Sequence, residues 1–198
     1  MTAPQQERSK ATRLRLLEAA VDCLAEKGWS GTTVAIVARA AGVSRGAAQH
    51  HFPTREDLIA GALEFATETQ LIENRARAAT LPEHGLTRVE AVVNMLVDIY
   101  VGPYFRAALQ VWVAASADPS LHARVQPLEA RLGRAIHHVA VELLRADERK
   151  PGVRETIQGT LDMARGFGLA TVLGDDSARR RPIVRQWARV LAGVLGEQ

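Results

Sequence analysis

The chain has 198 residues, of which 47% are hydrophobic, 24% charged and 5% aromatic, and its formal net charge is +3. Such a composition can bury a real core in one large or two small domains and excludes a disordered or disulfide-built chain. No run approaches the ~18–20 apolar residues of a membrane span, and the opening MTAPQQERSKATRLR has no apolar export core. A single cysteine, Cys23, cannot close an internal disulfide, so a reduced, cytoplasmic protein without a membrane segment is expected. Ala, Leu and Arg dominate and strand-type alternation is nearly absent, which predicts an all-α fold.

In chain order, Met1–Glu7 is polar and expected to be disordered. Arg8, Lys10, Arg13 and Arg15 follow, readable equally as a solvated helix start or as an arm for a phosphate backbone. The first helix is predicted over Ser9–Lys27, with Leu17, Val21 and Leu24 on one stripe and Ala20 and Ala25 beside it. Cys23 reads as a small buried hydrophobe. Gly28 ends the helix and Trp29 packs the corner. Thr33 caps a second helix in which Val34, Val37, Ala38 and Ala41 recur at helical spacing. Gly42 gives the backbone freedom for a sharp turn, Val43 plugs the angle, and Ser44 caps a third helix reaching about His51. The small Ala38 lets the two helices approach. A helix, glycine turn and helix of this size is a helix-turn-helix, whose second helix enters the DNA major groove, or else an ordinary helical hairpin.

His50 and His51 are neighbours pointing about 100° apart, which does not suit chelation of one ion, so no metal is expected. Phe52 reads as the plug of the small N-terminal core. Thr54 and Asp57 form a capping-box-like pair that starts a fourth helix of roughly 37 Å, ending near Ala79. Leu81–Gly85 is a loop. Thr87 and Glu90 predict a cap for a fifth helix, Thr87–Val101. Pro103 opens a sixth to about Ala117, and Asp118-Pro119 a seventh to about Arg145, split or kinked near Pro127. Pro151-Gly152 breaks the chain before an eighth helix, Val153–Leu173. The last is predicted from near Arg181, because Pro182 marks a helix start, to Leu195.

From Lys10 to Gln70 the chain resembles the DNA-binding region of the tetracycline-repressor (TetR) family. The resemblance is carried by Leu16-Leu17-x-Ala19-Ala20, Gly31-Thr32-Thr33, Ala41-Gly42-Val43-Ser44, His51-Phe52 and the charged start of the fourth helix. It implies a DNA-binding domain at 1–70 and a helical effector-binding and dimerisation domain at 71–198, with no cofactor. It also implies a transcriptional regulator, most simply a repressor, that binds an inverted repeat of double-stranded DNA as a homodimer. The DNA-facing positions implied are Thr33, Ser44, Arg45, Gly46, Ala47, Gln49 and His50, with Arg55 on phosphate. Arg45 suits guanine or phosphate, Gln49 adenine, and Ala47 a thymine methyl. The chain departs from the family where Leu-Tyr is common and Ala48-Gln49 stands here. It departs again at Ala35 and Ile36, where charged residues are frequent.

The same resemblance implies an effector cavity among the middle helices. Met95, Tyr100, Tyr104, Phe105 and Trp112, with Met163 and Phe167, are its candidate apolar lining. Asp98, Gln110, His137 and His138 are candidate polar handles, and the bias is toward a hydrophobic or aromatic effector. The alternative for each aromatic is simple core. The expected dimer face joins Leu161, Ala164 and Gly168 of the eighth helix to Val184, Trp187, Leu191 and Val194 of the ninth, widened by Ile183, Val190 and Leu195. Packing within one subunit is the alternative. No GxSxG, HExxH, phosphate loop or paired Cys/His spacing is present, so an enzyme is not expected. A DNA-binding regulator controlled by a protein partner, or by nothing, stays open.

Overall fold

The structure, a computed structural model, describes residues 3–196. Its described residues form nine helices and no strand: α1 (Ala3–Gly31), α2 (Val34–Ala40), α3 (Arg45–His51), α4 (Arg55–Ala78), α5 (Gly85–Val101), α6 (Pro103–Ser116), α7 (Pro119–Leu144), α8 (Val153–Ala170) and α9 (Ser177–Leu195). No described helix is long and apolar enough to cross a membrane. The helices build two compact units. The first holds the chain up to Thr69 together with Arg106–Glu129, and the second holds Gln70–Phe105 and the chain from Ala130 on. Helices α4, α6 and α7 each contribute residues to both.

In the first unit α1 packs on α2 and α3, and α2 on α3. Leu16, Ala20, Val21 and Leu24 of α1 are buried with Val37, Ala38, Ala48 and Phe52. Removing a side chain of Leu or Phe size from water is worth about 1.5–3 kcal/mol, enough to hold helices too short to stand alone. Cys23 is buried as expected, and burial raises its thiol pKa. The predicted stop at Gly28 is a kink, with φ 68° and ψ −176°, after which the chain makes one more turn to Gly31. Of the stretch expected to be disordered, Met1 and Thr2 lie outside the described residues, and Ala3–Glu7 is already helical. Pro4 falls in the first turn, where a missing N–H costs nothing.

In the second unit α5 is the central helix. Its residues Val89, Val92, Val93, Met95, Leu96, Val97, Ile99 and Tyr100 are all buried, and α8 and α9 both pack against it. A Cβ at Gly168 would lie 2.3 Å from the Tyr100 carbonyl oxygen, so α8 meets the end of α5 in backbone contact. The indole Nε1 of Trp187 donates to Thr160 Oγ1 at 2.8 Å, tying α9 to α8.

Three expected boundaries move. Helix α5 starts at Gly85 behind His84, and the Thr87/Glu90 pair lies inside it rather than capping it. There Arg88 donates to the carbonyls of Pro82 and Leu143 at 2.8 and 3.0 Å, pinning the incoming loop on the first turn. Helix α8 ends at Ala170, not Leu173. Helix α9 begins at Ser177 with Pro182 inside it. Asp175 accepts from Ser177 N–H at 2.9 Å and Asp176 from Arg179 and Arg180, so acidic side chains start the helix ahead of the proline.

Candidate nucleic-acid interface and effector cleft

The α2–α3 corner is built from local signals. Thr33 Oγ1 accepts from the Ile36 N–H at 3.3 Å and Ser44 Oγ from the Ala47 N–H at 3.2 Å, so each helix has its own N-cap. Between them Gly42 takes φ 63°. Val43 N–H donates to the Ala38 carbonyl at 2.9 Å and Gly42 N–H to that of Arg39 at 3.2 Å. These two bonds form the Schellman closure, which a residue with a Cβ would strain. Ala38 is buried at the crossing.

Helix α3 is buried only at Ala48. Ala47 is half-buried, and Ser44, Arg45, Gly46, Gln49 and His50 are exposed. The side chains of Arg45 and Gln49 make no hydrogen bond or ion pair with any described residue. A Cβ at Gly46 would touch nothing within 4 Å, so packing inside the chain does not require a glycine in this helix. The face therefore combines a free guanidinium, a free amide and bare backbone. Below it Phe52 is buried, with the Arg13 guanidinium 4.5 Å from its ring centroid. Burial, then His50 and Arg13, lower the pKa of the His51 imidazole. Among the described residues no three His, Cys, Asp or Glu side chains converge as a metal-ion set.

Two cations of this unit make contacts within the fold, Arg13 while still exposed and Arg55 half-buried. Arg13, expected within a basic stretch, lies on Phe52, while Lys10 pairs with Glu7 at 3.1 Å. Arg55, expected on phosphate, turns inward. Its guanidinium is 3.9 Å from the Trp29 ring centroid, its Nη2 donates to the Trp29 carbonyl, and burial lowers its pKa. Gln110 Oε1 accepts the Trp29 N–H at 3.4 Å, completing the clasp on this corner. Beside it the start of α4 carries the expected cap. Asp57 N–H donates to Thr54 Oγ1 at 3.0 Å and Thr54 N–H to Asp57 Oδ2 at 3.2 Å. The Thr54 hydroxyl, and then Arg124 at 2.5 Å, hold the Asp57 carboxyl below its ordinary pKa.

The expected effector lining disperses. Met95, Phe105 and Phe167 are buried core, Tyr104, Trp112 and Met163 are half-buried, and Asp98 is exposed and ion-paired to Arg77 at 2.6 Å. Of that set only Tyr100 and His137, with the polar handle His138, border the cavity found in the second unit, an open cleft of about 320 Å³ between α7 and α8. The reason is periodicity. The inner stripes of α5, α6 and α8 are close-packed core, whereas the cleft opens along a more polar line of α8, Arg154, Gln158, Leu161 and Arg165, at helical spacing. That i, i+4, i+7, i+11 line, with Arg134 on α7, is a sequence signal that reading for aromatics passes over.

The cleft is strongly hydrogen-bonded. Gln158 Nε2 lies 3.0 Å from His137 Nδ1, and His137 Nε2 lies 2.7 Å from Glu148 Oε1. An amide donor at Nδ1 puts the proton of the neutral ring on Nε2, aimed at the carboxylate. Arg154 Nη1 reaches the same oxygen at 3.2 Å, and the His137 bond, with Arg154, lowers the Glu148 pKa. Arg165 pairs with Asp162 at 2.9 Å, and its guanidinium carbon lies 5.4 Å from the Tyr100 ring centroid.

The expected dimer stripe is also reassigned. Leu161, Ala164, Gly168, Val184 and Leu191 are buried inside the subunit, and Trp187 and Val194 are half-buried. These residues form the stripe through which α8 and α9 cover α5, because a wide apolar face gives its centre to the nearest core. The exposed large apolar residues of these two helices are Leu169, Ile183 and Val190, with Val172 and Leu173 in the loop between them.

The family model described as bacterial regulatory proteins of the tetR family matches residues 16–62, which runs from α1 into α4. The HTH-type transcriptional regulator CymR of Pseudomonas putida is 37% identical over 123 residues, covering 62% of this chain and 60% of CymR, so the match spans less than two thirds of that relative. An uncharacterized HTH-type transcriptional regulator of Mycobacterium tuberculosis is 30% identical over 140 residues, 71% of each chain. Among solved structures, a transcriptional regulator from Saccharomonospora viridis in complex with choline superposes with a TM-score of 0.68 at 20% identity, over 91% of this chain and 95% of that one. With paired N-caps, a glycine closure and an outward helix lying inside the matched stretch, the chain belongs to the TetR family of DNA-binding, helix-turn-helix transcriptional regulators.

Proposed function

We propose that the protein is a cytoplasmic, ligand-responsive repressor that binds an inverted-repeat operator as a homodimer. Residues 1–70 read DNA, and the remainder takes the effector and the second copy. The observation that carries this reading is the face of α3: Arg45, Gly46 and Gln49 are exposed and unused by the fold. Arg45 bonds guanine or phosphate, Gln49 bonds adenine N6 and N7, and Gly46 lets the backbone approach. Ala47 faces a thymine methyl and His50 the backbone. Thr33 and Ser44 add phosphate contacts from their capping positions. Arg55 acts through Trp29, by holding the corner that carries α2.

One α3 reads too few base pairs for specificity, whereas two, a helical turn (about 34–36 Å) apart, read a palindrome. The exposed Leu169, Ile183 and Val190, with the half-buried Trp187 and Val194, supply the apolar surface for the second copy. Helix α4 starts beside the reading helices and continues to Ala78, so a change in its tilt changes the spacing of the two α3 helices. An effector in the cleft releases DNA only to the extent that it binds the released state more tightly. The cleft favours ligand response over control by a partner protein, and a related fold holds choline.

Light scattering on the free protein and on its complex with a selected duplex tests the assembly. A dimer alone and two chains per duplex are expected. A monomer at micromolar concentration, or one chain per duplex, contradicts the proposal.

A further inference from the structure

We infer that the α7–α8 cleft binds a small organic carboxylate, with Arg134 as the residue that takes its charge. This deepens the ligand-responsive reading above and relies on it only for the consequence of binding, not for binding itself.

The charge pattern of the walls carries the inference. Arg134, Arg154 and Arg165 line the cleft together with Glu148 and Asp162. Both acids are already engaged: Glu148 accepts from His137 and Arg154, and Asp162 accepts from Arg165. Arg134 makes no side-chain hydrogen bond or ion pair with any described residue, so one guanidinium is left over. A cationic ligand would have to displace an existing ion pair to find a carboxylate. An anionic ligand completes the set, since a guanidinium presents a planar fork that matches a carboxylate in two parallel bonds.

The surroundings select an organic anion over an inorganic one. His138 Nδ1 lies 2.7 Å from the Arg134 carbonyl oxygen, which fixes the proton on Nδ1. Its Nε2 is then an acceptor, open to a hydroxyl or N–H on the ligand body and not to the carboxylate itself. Beside these groups stand Tyr100, Leu161, Ala130 and Gly133, an apolar strip that phosphate or sulfate could not use. The volume of about 320 Å³ sits at the lower end of the roughly 300–1,000 Å³ range of small-molecule pockets. A compact molecule with one carboxylate and a hydrocarbon or aromatic body meets the Arg134 guanidinium and the apolar strip together.

Titration calorimetry on the full chain without DNA tests it. The probes are benzoate, phenylacetate and octanoate, their neutral amides, and inorganic phosphate. At least one carboxylate is expected to bind saturably, one per chain. Its amide and the Arg134→Gln variant are each expected to lose at least about tenfold in affinity, the size of one charge-assisted contact. Arg134→Lys keeps the charge without the fork and falls between. Arg134 is exposed, and thermal melts of both variants check that they fold. Three results overturn the inference: no saturable carboxylate binding, an amide that binds as well as its acid, or phosphate that binds as tightly as the carboxylates. A carboxylate that binds through Arg134 yet leaves operator affinity unchanged supports the site and removes ligand response. Operator binding that persists when no carboxylate binds overturns the site alone.

Discussion

Helices α3 and α5 are opposites. Helix α3 has seven residues and buries one, Ala48, while α5 has seventeen and buries eight. A seven-residue helix has no independent stability, so α3 is held by the Ser44 cap, the Gly42 closure and its contact with α2. What it gains from the fold is position, and what it presents outward is unused by the chain. Helix α5 turns most of its length inward and is covered by α8 and α9. Stability is concentrated in α5 and recognition in α3, and the two should fail separately.

The largest expected effect is on the α5 side. Leu96 is fully buried, and Leu96→Ala should cost about 2–5 kcal/mol in denaturant unfolding. A cost below 1 kcal/mol would mean that α5 is not the centre of its unit. On the α3 side, Arg45→Ala and Gln49→Ala should each weaken operator binding by about 1–3 kcal/mol in fluorescence anisotropy, with the melting temperature unchanged. Full operator affinity in both would remove α3 as the reading helix.

Thr54→Ala lies between the two classes, because the Thr54–Asp57 box starts α4 next to the reading helices. It should cost about 1 kcal/mol of stability. The box also sets a pH dependence. The folded Asp57 carboxyl titrates below the ordinary aspartate range, so the stabilisation is complete at neutral pH. It declines as the pH falls past the ordinary aspartate pKa and is gone below the depressed one. Thr54→Ala should flatten that part of the acid unfolding curve, and an unchanged acid limb would show that the box is not formed. The smallest effect sharpens the comparison most. Gly46→Ala should raise stability by about 0.5–1 kcal/mol, since a helical glycine with open space at Cβ costs the fold. The same change should weaken operator binding. A stabilised protein with unaltered affinity would show that Gly46 is not at the DNA surface.

Features encoded by neighbours in sequence were legible. Thr33, Ser44, Gly42 and the Thr54–Asp57 pair each satisfy backbone or side-chain groups within a few residues, so their chemistry is local. What depends on tertiary partners was not. The start of α5 is shaped by Arg88 reaching the Leu143 carbonyl, a contact between residues 55 positions apart. The stripe on α8 and α9 was correctly apolar, but only packing reveals that Leu161, Val184 and Leu191 face inward. Arg55 looked like a surface cation until Trp29 was seen beneath it. The cleft was legible only at Tyr100, His137 and His138, because its other polar groups, Arg134, Glu148 and the α8 line, come together only through packing.

The most direct test of the central claim is selection of bound sequences from a random duplex pool, followed by salt-dependent affinity for the winner. The account predicts an enriched inverted repeat whose half-sites lie one helical turn apart, bound at least about a thousandfold tighter than random DNA. Equal binding to all sequences, lost together as salt rises, would leave only a backbone contact and would contradict the dimeric reader.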